Sequence, residues 1–220
     1  MKKLIEVIIS LILIFIFVEY ILYLENLYSF AIGLFLFMPF SSFIIAPLMR
    51  VRFFFKFYSK ILLVQFPNKK VYDLHLANNF DLIRFSKNCN NAKKMIFLEI
   101  VEGLLNICEE IEQEKLPKKL NIQAITFFMN HRTFKKLGFK KIRFSPQYAI
   151  LFLFDYIGIT ISNYFVSKKF RFVNIIKTSK ASMTGEDLIQ NKKNLIEIKL
   201  KLKLGKNYNK SLNSDTTRGR

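Results

Sequence analysis

Val71 to Leu76, VYDLHL, alternates in polarity, so a strand here would place Asp73 and His75 on one face and Tyr72, Leu74 and Leu76 on the other. A carboxylate beside an imidazole can orient it for base chemistry, and Asp81 and Cys89 are close enough in sequence to join such a site. Asp73, His75 and Cys89 are therefore the candidate catalytic residues, in the manner of a hydrolase. The bland alternative is that Asp73 and His75 are simply the wet face of a half-buried strand. With only His75 and His131 in the chain, and Cys89 and Cys108 19 positions apart, no zinc spacing is present and no metal is expected. The same cysteine usage fits a reducing compartment. Six Glu between 99 and 114 form the one acidic cluster, read as a solvated face offsetting nearby lysines, with a basic-partner or metal site as the other option. No GxGxxG, P-loop, HExxH or GxSxG element occurs, and no cofactor is expected.

The elements that must carry these residues follow from periodicity. After the turn-forming SKNCNN of 86–91, a helix is expected from Ala92 to about Leu116, with Ile96, Phe97, Ile100, Val101, Leu104, Leu105, Cys108 and Ile111 on its apolar stripe. Cys108 within that stripe reads as a small core residue. Ile122–Met129 has a strand's composition, Arg132–Leu137 a short helix's, Gly138 suits its cap, and Lys140–Phe144 returns as a strand. This order, with NHRTFKKLGFKKI at 130–142, is similar to the C-terminal part of GNAT-type N-acetyltransferases, where Asn, a short helix, Leu-Gly-Phe and a final strand recur. The resemblance covers about 45 residues and implies a membrane-tethered acyltransferase. Further on, TGED at 184–187 has the form of a helix N-terminal box, and IEIKLKLKL at 196–204 the period of an edge strand.

Charge divides the 220 residues sharply. Residues 1–49 hold two Lys and three Glu, net −1, whereas residues 50–220 hold 33 Lys or Arg against 13 Asp or Glu, net +20. Of the 21 residues from Leu4 to Leu24, 16 are Leu, Ile, Val or Phe. At roughly −0.5 kcal/mol each, insertion of this stretch gains about −8 kcal/mol, more than Glu6 and Glu19 away from its centre cost. Leu27 to Met49, with Pro39 and Pro47, is a second such stretch, and Glu25-Asn26 leaves room only for an antiparallel hairpin. Lys2 and Lys3 before it and Arg50, Arg52, Lys56 and Lys60 after it place both ends on the cytoplasmic side, of a bacterial inner membrane or facing a mitochondrial matrix. A cleaved signal peptide would show a shorter apolar run and an A-x-A-like site.

The expected fold class is α+β: a two-helix transmembrane hairpin (1–49), a juxtamembrane basic amphipathic helix (50–67), a small basic α+β domain (68–204) and a disordered tail (205–220). Arg50, Arg52, Lys56 and Lys60 are the candidate lipid-binding residues, recurring on one face of that helix beside Phe53, Phe54 and Phe57. Gln147–Val166 is apolar enough to be weighed as a third span, but Asp155 and the cationic residues after it favour a buried or interfacial helix. A domain at +20 calls for a negative partner. Anionic phospholipid is the first expectation, together with a protein partner. A membrane-docked nucleic acid or ribosome is the rival, without a recognition motif to support it.

Overall fold

The computed structural model describes residues 2–23, 28, 30–33, 55–126, 131–142, 156–172 and 179–216. Helix α1 spans Lys2–Tyr23. Strands β1 (Phe55–Phe57), β2 (Leu62–Gln65) and β3 (Val71–Leu76) form an antiparallel meander. Two turns set its register through side chains. Ser59 Oγ accepts from the N–H of Leu62 at 3.0 Å, and Asn68 Oδ1 from the N–H groups of Lys70 and Val71 at 2.9 and 2.7 Å. Helices α2 (Asn79–Lys87) and α3 (Ala92–Glu112) then carry the chain across to β4 (Asn121–Thr126), which is parallel to β3. A parallel neighbour requires such a crossover.

Helix α4 (His131–Lys136) leads to β5 (Lys140–Ile142), and after α5 (Tyr156–Ser167) strand β6 (Ser179–Thr184) inserts between β4 and β5, antiparallel to both. The sheet is thus mixed, in the order β1-β2-β3-β4-β6-β5. Helices α6 (Gly185–Gln190) and α7 (Lys192–Thr216) complete the described chain. The fold is α+β, as composition and alternation imply.

One face of the sheet builds the core. Leu62, Val64, Tyr72, Leu74, Ile122, Ala124, Ala181 and Met183 meet Ile96, Ile100, Val101, Leu104, Ile107, Cys108 and Ile111 of α3. The α3 stripe is the one its periodicity predicts, although the helix ends at Glu112. The expected capping box is present: Thr184 accepts from the N–H of Asp187, and Asp187 accepts from that of Thr184 at 3.0 Å. Those bonds, the Thr184 backbone one foremost, hold the Asp187 carboxyl below its ordinary pKa, with Lys140 assisting. Gly138, at φ +91°, turns the chain in the left-handed region between α4 and β5, as a helix-ending glycine should.

Three expectations are corrected. The juxtamembrane helix over 50–67 is absent where the chain is described: Phe55–Phe57 and Leu62–Gln65 are strands, with a bend between them. The four-residue spacing of Arg52, Lys56 and Lys60 imitates a helix. The residues around it are aromatic and β-branched, however, and pairing with β3 decides the outcome. The sheet therefore begins before residue 68. Likewise, IEIKLKLKL is helix rather than strand, and α7 runs on to Thr216 through most of the expected disordered tail. Leu195, Ile198 and Leu202 are its buried and half-buried positions at helical spacing, while long lysine stems can lie along a helix without interrupting it. Residues 217–220 lie outside the described residues.

Gln147–Val166 is helical from Tyr156, with Gly158, Ile159, Thr160, Ser162 and Val166 buried and α2 packed beside it. Its N-terminal part, 147–155, lies outside the described residues, as does most of the second apolar stretch, Leu27–Met49. Among the described residues no helix is long and apolar enough to cross a membrane. Helix α1 nevertheless exposes Leu11, Ile12, Leu13, Phe15, Ile16 and Val18, which at 100° per residue spread over most of its circumference, with the half-exposed Ile14 and Phe17 on the remaining side.

The tightest approach in the core is at Gly103 of α3, where an added Cβ would lie 2.5 Å from Leu62 Cδ2 and 3.0 Å from Leu62 Cβ. Gly103→Ala is expected to cost about 1–3 kcal/mol in denaturant unfolding. Combined with Leu62→Ala, it should cost less than the two single changes together. Strict additivity would show that α3 and β2 do not meet there.

Candidate functional site

The parallel pair β3–β4 is where the sheet opens. Val71–Leu74 register with Asn121–Ala124, and the pairing then stops. His75 and Leu76 remain bonded to β2, while Ile125 and Thr126 remain bonded to β6, so the carboxyl ends of the two central strands part. In sheets with parallel strands, ligands settle beyond the carboxyl ends where neighbouring strands diverge. This opening is the candidate site.

Its floor is polar. Through the strand registers Gln65, Asp73, Gln123, Ser182 and Lys140 stand side by side on the sheet face away from α3. The next row is Leu63 and His75 on one side of the opening and Ile125, Lys180 and Ile142 on the other. Asp73 and His75 are adjacent and exposed on that face, as alternation within β3 predicts, while Tyr72 and Leu74 are buried opposite. Although the His75 side chain reaches solvent, desolvation by the surrounding protein lowers its pKa, and the Asp73 carboxylate pulls the other way. Lys180 is only 8% exposed although it lies in this row.

Cys89 does not share that face. It follows the C-terminal end of α2 and packs half-buried against the core on the α3 side. Asp81 sits in the first turn of α2, 3.6 Å from Arg84, and its N–H donates to the cap residue Asn78 at 2.9 Å. Buried polar groups that the sequence did not single out lie where α2 and α5 pack together. Asn79 begins α2 directly beyond β3 and is buried, and Ser162 Oγ of α5 donates to its Oδ1 at 2.7 Å. Thr160, two residues before Ser162, buries a hydroxyl that has no hydrogen-bond partner among the described residues. A hydroxyl within an apolar helix is the sequence signal for such a pair, but its partner lies 83 positions away and cannot be read before folding.

Of the four candidate lipid residues, Lys56 and Lys60 are described. Lys56 lies on the core face, its ammonium 2.6 Å from Glu110 and 4.9 Å from the centre of the Tyr58 ring. Tyr58 donates to the same carboxylate at 2.8 Å and approaches the Tyr72 hydroxyl at 3.2 Å. Burial, then its bonds to Tyr72 and Glu110, raise its pKa far above the usual phenol value. Lys60 is exposed at the β1–β2 bend, and its backbone N–H is held by the buried carboxylate of Glu99 at 2.9 Å. Arg50 and Arg52 lie outside the described residues. Two further members of the acidic cluster are engaged in the same way: Glu102 pairs with Lys199 and Lys203, and Glu112 with Lys192, tying α7 antiparallel to α3. Among the described residues no group of His, Cys, Asp and Glu could hold a metal ion.

Comparison with family models, curated proteins and solved structures gives no match to this chain.

In an NMR titration the His75 imidazole is expected to have its midpoint below 6.5, and Asp73→Asn should move it lower still. Because the folded value lies below the unfolded one, the stability this group supports is complete above about pH 6.5 and is lost as pH falls through the lowered midpoint. A midpoint above 6.5 would mean that Asp73, not desolvation, rules the pair.

Proposed function

We propose that this chain is an integral membrane protein, anchored by a hairpin of residues 1–49, whose basic α+β domain rests on anionic phospholipid on the cytoplasmic side and there meets a protein partner. What supports this reading is the apolar surface of α1 taken together with the second apolar stretch of the sequence, since no described helix is by itself long and apolar enough to cross a membrane. A helix apolar on every side belongs inside a large core or in lipid. Leu11 is 53% exposed, Phe15 64% and Ile16 56%, and each such side chain left in water forgoes about 1.5–3 kcal/mol of burial. The net +20 of residues 50–220 supplies the second half, since each Lys or Arg near an anionic leaflet contributes about 1 kcal/mol. The second leg of the hairpin, with its two prolines, belongs to this proposal and not to the described fold.

A second reading, acyl transfer on a GNAT-like scaffold, is favoured by one specific observation: strands β3 and β4 part just where a ligand could enter, and NHRTFKKLGFKKI follows β4. The Leu-Gly-Phe of that segment has a structural explanation of its own. Leu137 and Phe139 are buried core anchors on either side of the left-handed Gly138, and Phe139 meets Phe134 edge-on at 5.4 Å. The region also departs from the resemblance. No Gly lies between residues 86 and 98 to let backbone N–H groups reach a pyrophosphate, Asp81 would repel one at the start of α2, and Lys135 falls where the family commonly has an acidic tyrosine.

Two experiments separate the readings. After alkaline carbonate washing of membranes the full chain is expected in the pellet, with tags at both ends cleaved by protease only from the cytoplasmic side. Release into the supernatant would end the membrane reading. Saturable binding of acetyl-coenzyme A that shifts the resonances of residues 75–79 and 125–126 would establish the second, and its absence at millimolar ligand would remove it.

A further inference from the structure

Helix α5 ends in a conformation that its sequence does not favour. Lys168 adopts φ +55°, a region that costs any residue with a Cβ, and its N–H donates to the carbonyl of Tyr164 at 2.8 Å. Glycine is the residue usually found at this closing position. The turn is locked by Ser167, whose hydroxyl donates to the Lys169 carbonyl at 2.9 Å. Beyond it the strap Lys168–Phe172 is laid back along α5, Asn163 donating to the Arg171 carbonyl at 3.4 Å.

The strap gathers an aromatic surface outside the molecule. Phe170 and Phe172 are 64% and 71% exposed, yet their rings meet edge-on at 5.3 Å. Tyr164 lies 6.4 Å from Phe170, and Tyr156 stacks on Phe172 at 6.5 Å with 3° between the planes. Lys168, Lys169 and Arg171 alternate with these rings and are exposed, and Lys87 of α2 sits over Phe165 at 5.3 Å. From Tyr156 to Phe172 there is no acidic residue. Charge of one sign interleaved with rings that have no core to enter is the composition of a membrane-interface element. The rings are engaged with one another, Tyr156 parallel to Phe172, Phe170 edge-on to Phe172 and Tyr164 tilted against Phe170, rather than set out as separate platforms for successive bases.

We propose that the strap Lys168–Phe172, backed by Tyr164, seats this domain in the interface of an anionic bilayer, with Phe170 and Phe172 entering the headgroup boundary and Lys168, Lys169 and Arg171 meeting lipid phosphates. This rests on the membrane reading above and adds a lipid contact at the strap that follows α5. The strained turn at Lys168 then has a purpose, since it brings a cation to the base of the strap where glycine would bring none.

The chain has no Trp, so Phe172→Trp creates a single reporter. The full chain carrying it is reconstituted into vesicles of phosphatidylcholine alone or with phosphatidylglycerol, brominated acyl chains serving as quencher, and Leu200→Trp on exposed α7 is the comparison. The expected result is a blue-shifted, quenched emission from position 172 in the anionic vesicles only, reversed by high salt, with position 200 unchanged. Lys168→Glu, Lys169→Glu and Arg171→Glu together should abolish the quenching with an unaltered circular dichroism spectrum, each lost cation weakening local partition about fivefold. Water-like emission from position 172 in vesicles that retain the chain would overturn the inference and spare the membrane reading. Failure of the chain to float with vesicles of either kind would overturn both. Quenching by single-stranded RNA in place of anionic lipid would assign the strap to nucleic acid and sink the proposal.

Discussion

Burial of one face of α3 against β2 and β3 is the constraint on which the rest of this molecule depends. The parallel relation of β3 and β4 obliges the chain to cross over the sheet, and the crossing element must bury an apolar stripe to be stable there. Val101, Leu104, Ile107 and Cys108 are almost wholly enclosed as a result, and the glycine among them lets the helix settle directly on Leu62. Everything polar about α3 is then arranged around that seat. Glu99 holds the β1–β2 bend, Asn106 donates to the Tyr58 carbonyl at 2.6 Å, Glu110 gathers Lys56 and Tyr58, and Glu102 and Glu112 receive α7. The acidic cluster is thus a set of internal clasps, which suits a domain otherwise dominated by lysine.

Because α3 occupies one face of the sheet, chemistry-bearing residues are displaced to the other. Asp73, Gln123, Ser182 and Lys140 line up there by register alone, and the opening between His75 and Ile125 sits at the end of that row. Cys108 illustrates the opposite fate: it is fully enclosed in the α3 stripe, and burial pushes its thiol upward, leaving it a packing residue. The aromatic strap at the end of α5 belongs to neither face, which is why its rings can address something other than the core.

What could be read in the sequence is what depends on neighbours a few positions apart. The α3 stripe, the alternation of VYDLHL, the capping box at Thr184 and Asp187, and the left-handed Gly138 are all local, and each is where periodicity or turn chemistry puts it. The failures come where two periods coexist. RVRFFFKFYSK carries cations every fourth residue and β-forming residues throughout, and only the presence of β3 as a partner selects the strand. IEIKLKLKL carries a period of two in charge, while Ile198 and Leu202 within it continue the helical spacing begun at Leu195, and α3 selects the helix. The site was legible only in part. Asp73 and His75 follow from one strand, whereas the neighbours that make them part of a surface, Gln123, Ser182 and Lys180, arrive by pairing across the chain.

The place of β1 has a mechanical meaning. It is a three-residue edge strand, and the apolar N-terminal segment joins the domain through it. Tension applied from that side would strip β1 from β2 one hydrogen bond at a time, the weakest direction in which a sheet can be loaded. The ammonium of Lys56 and the hydroxyl of Tyr58, both fastened to Glu110 on the most deeply seated helix, stand as rivets at the point where tearing would begin.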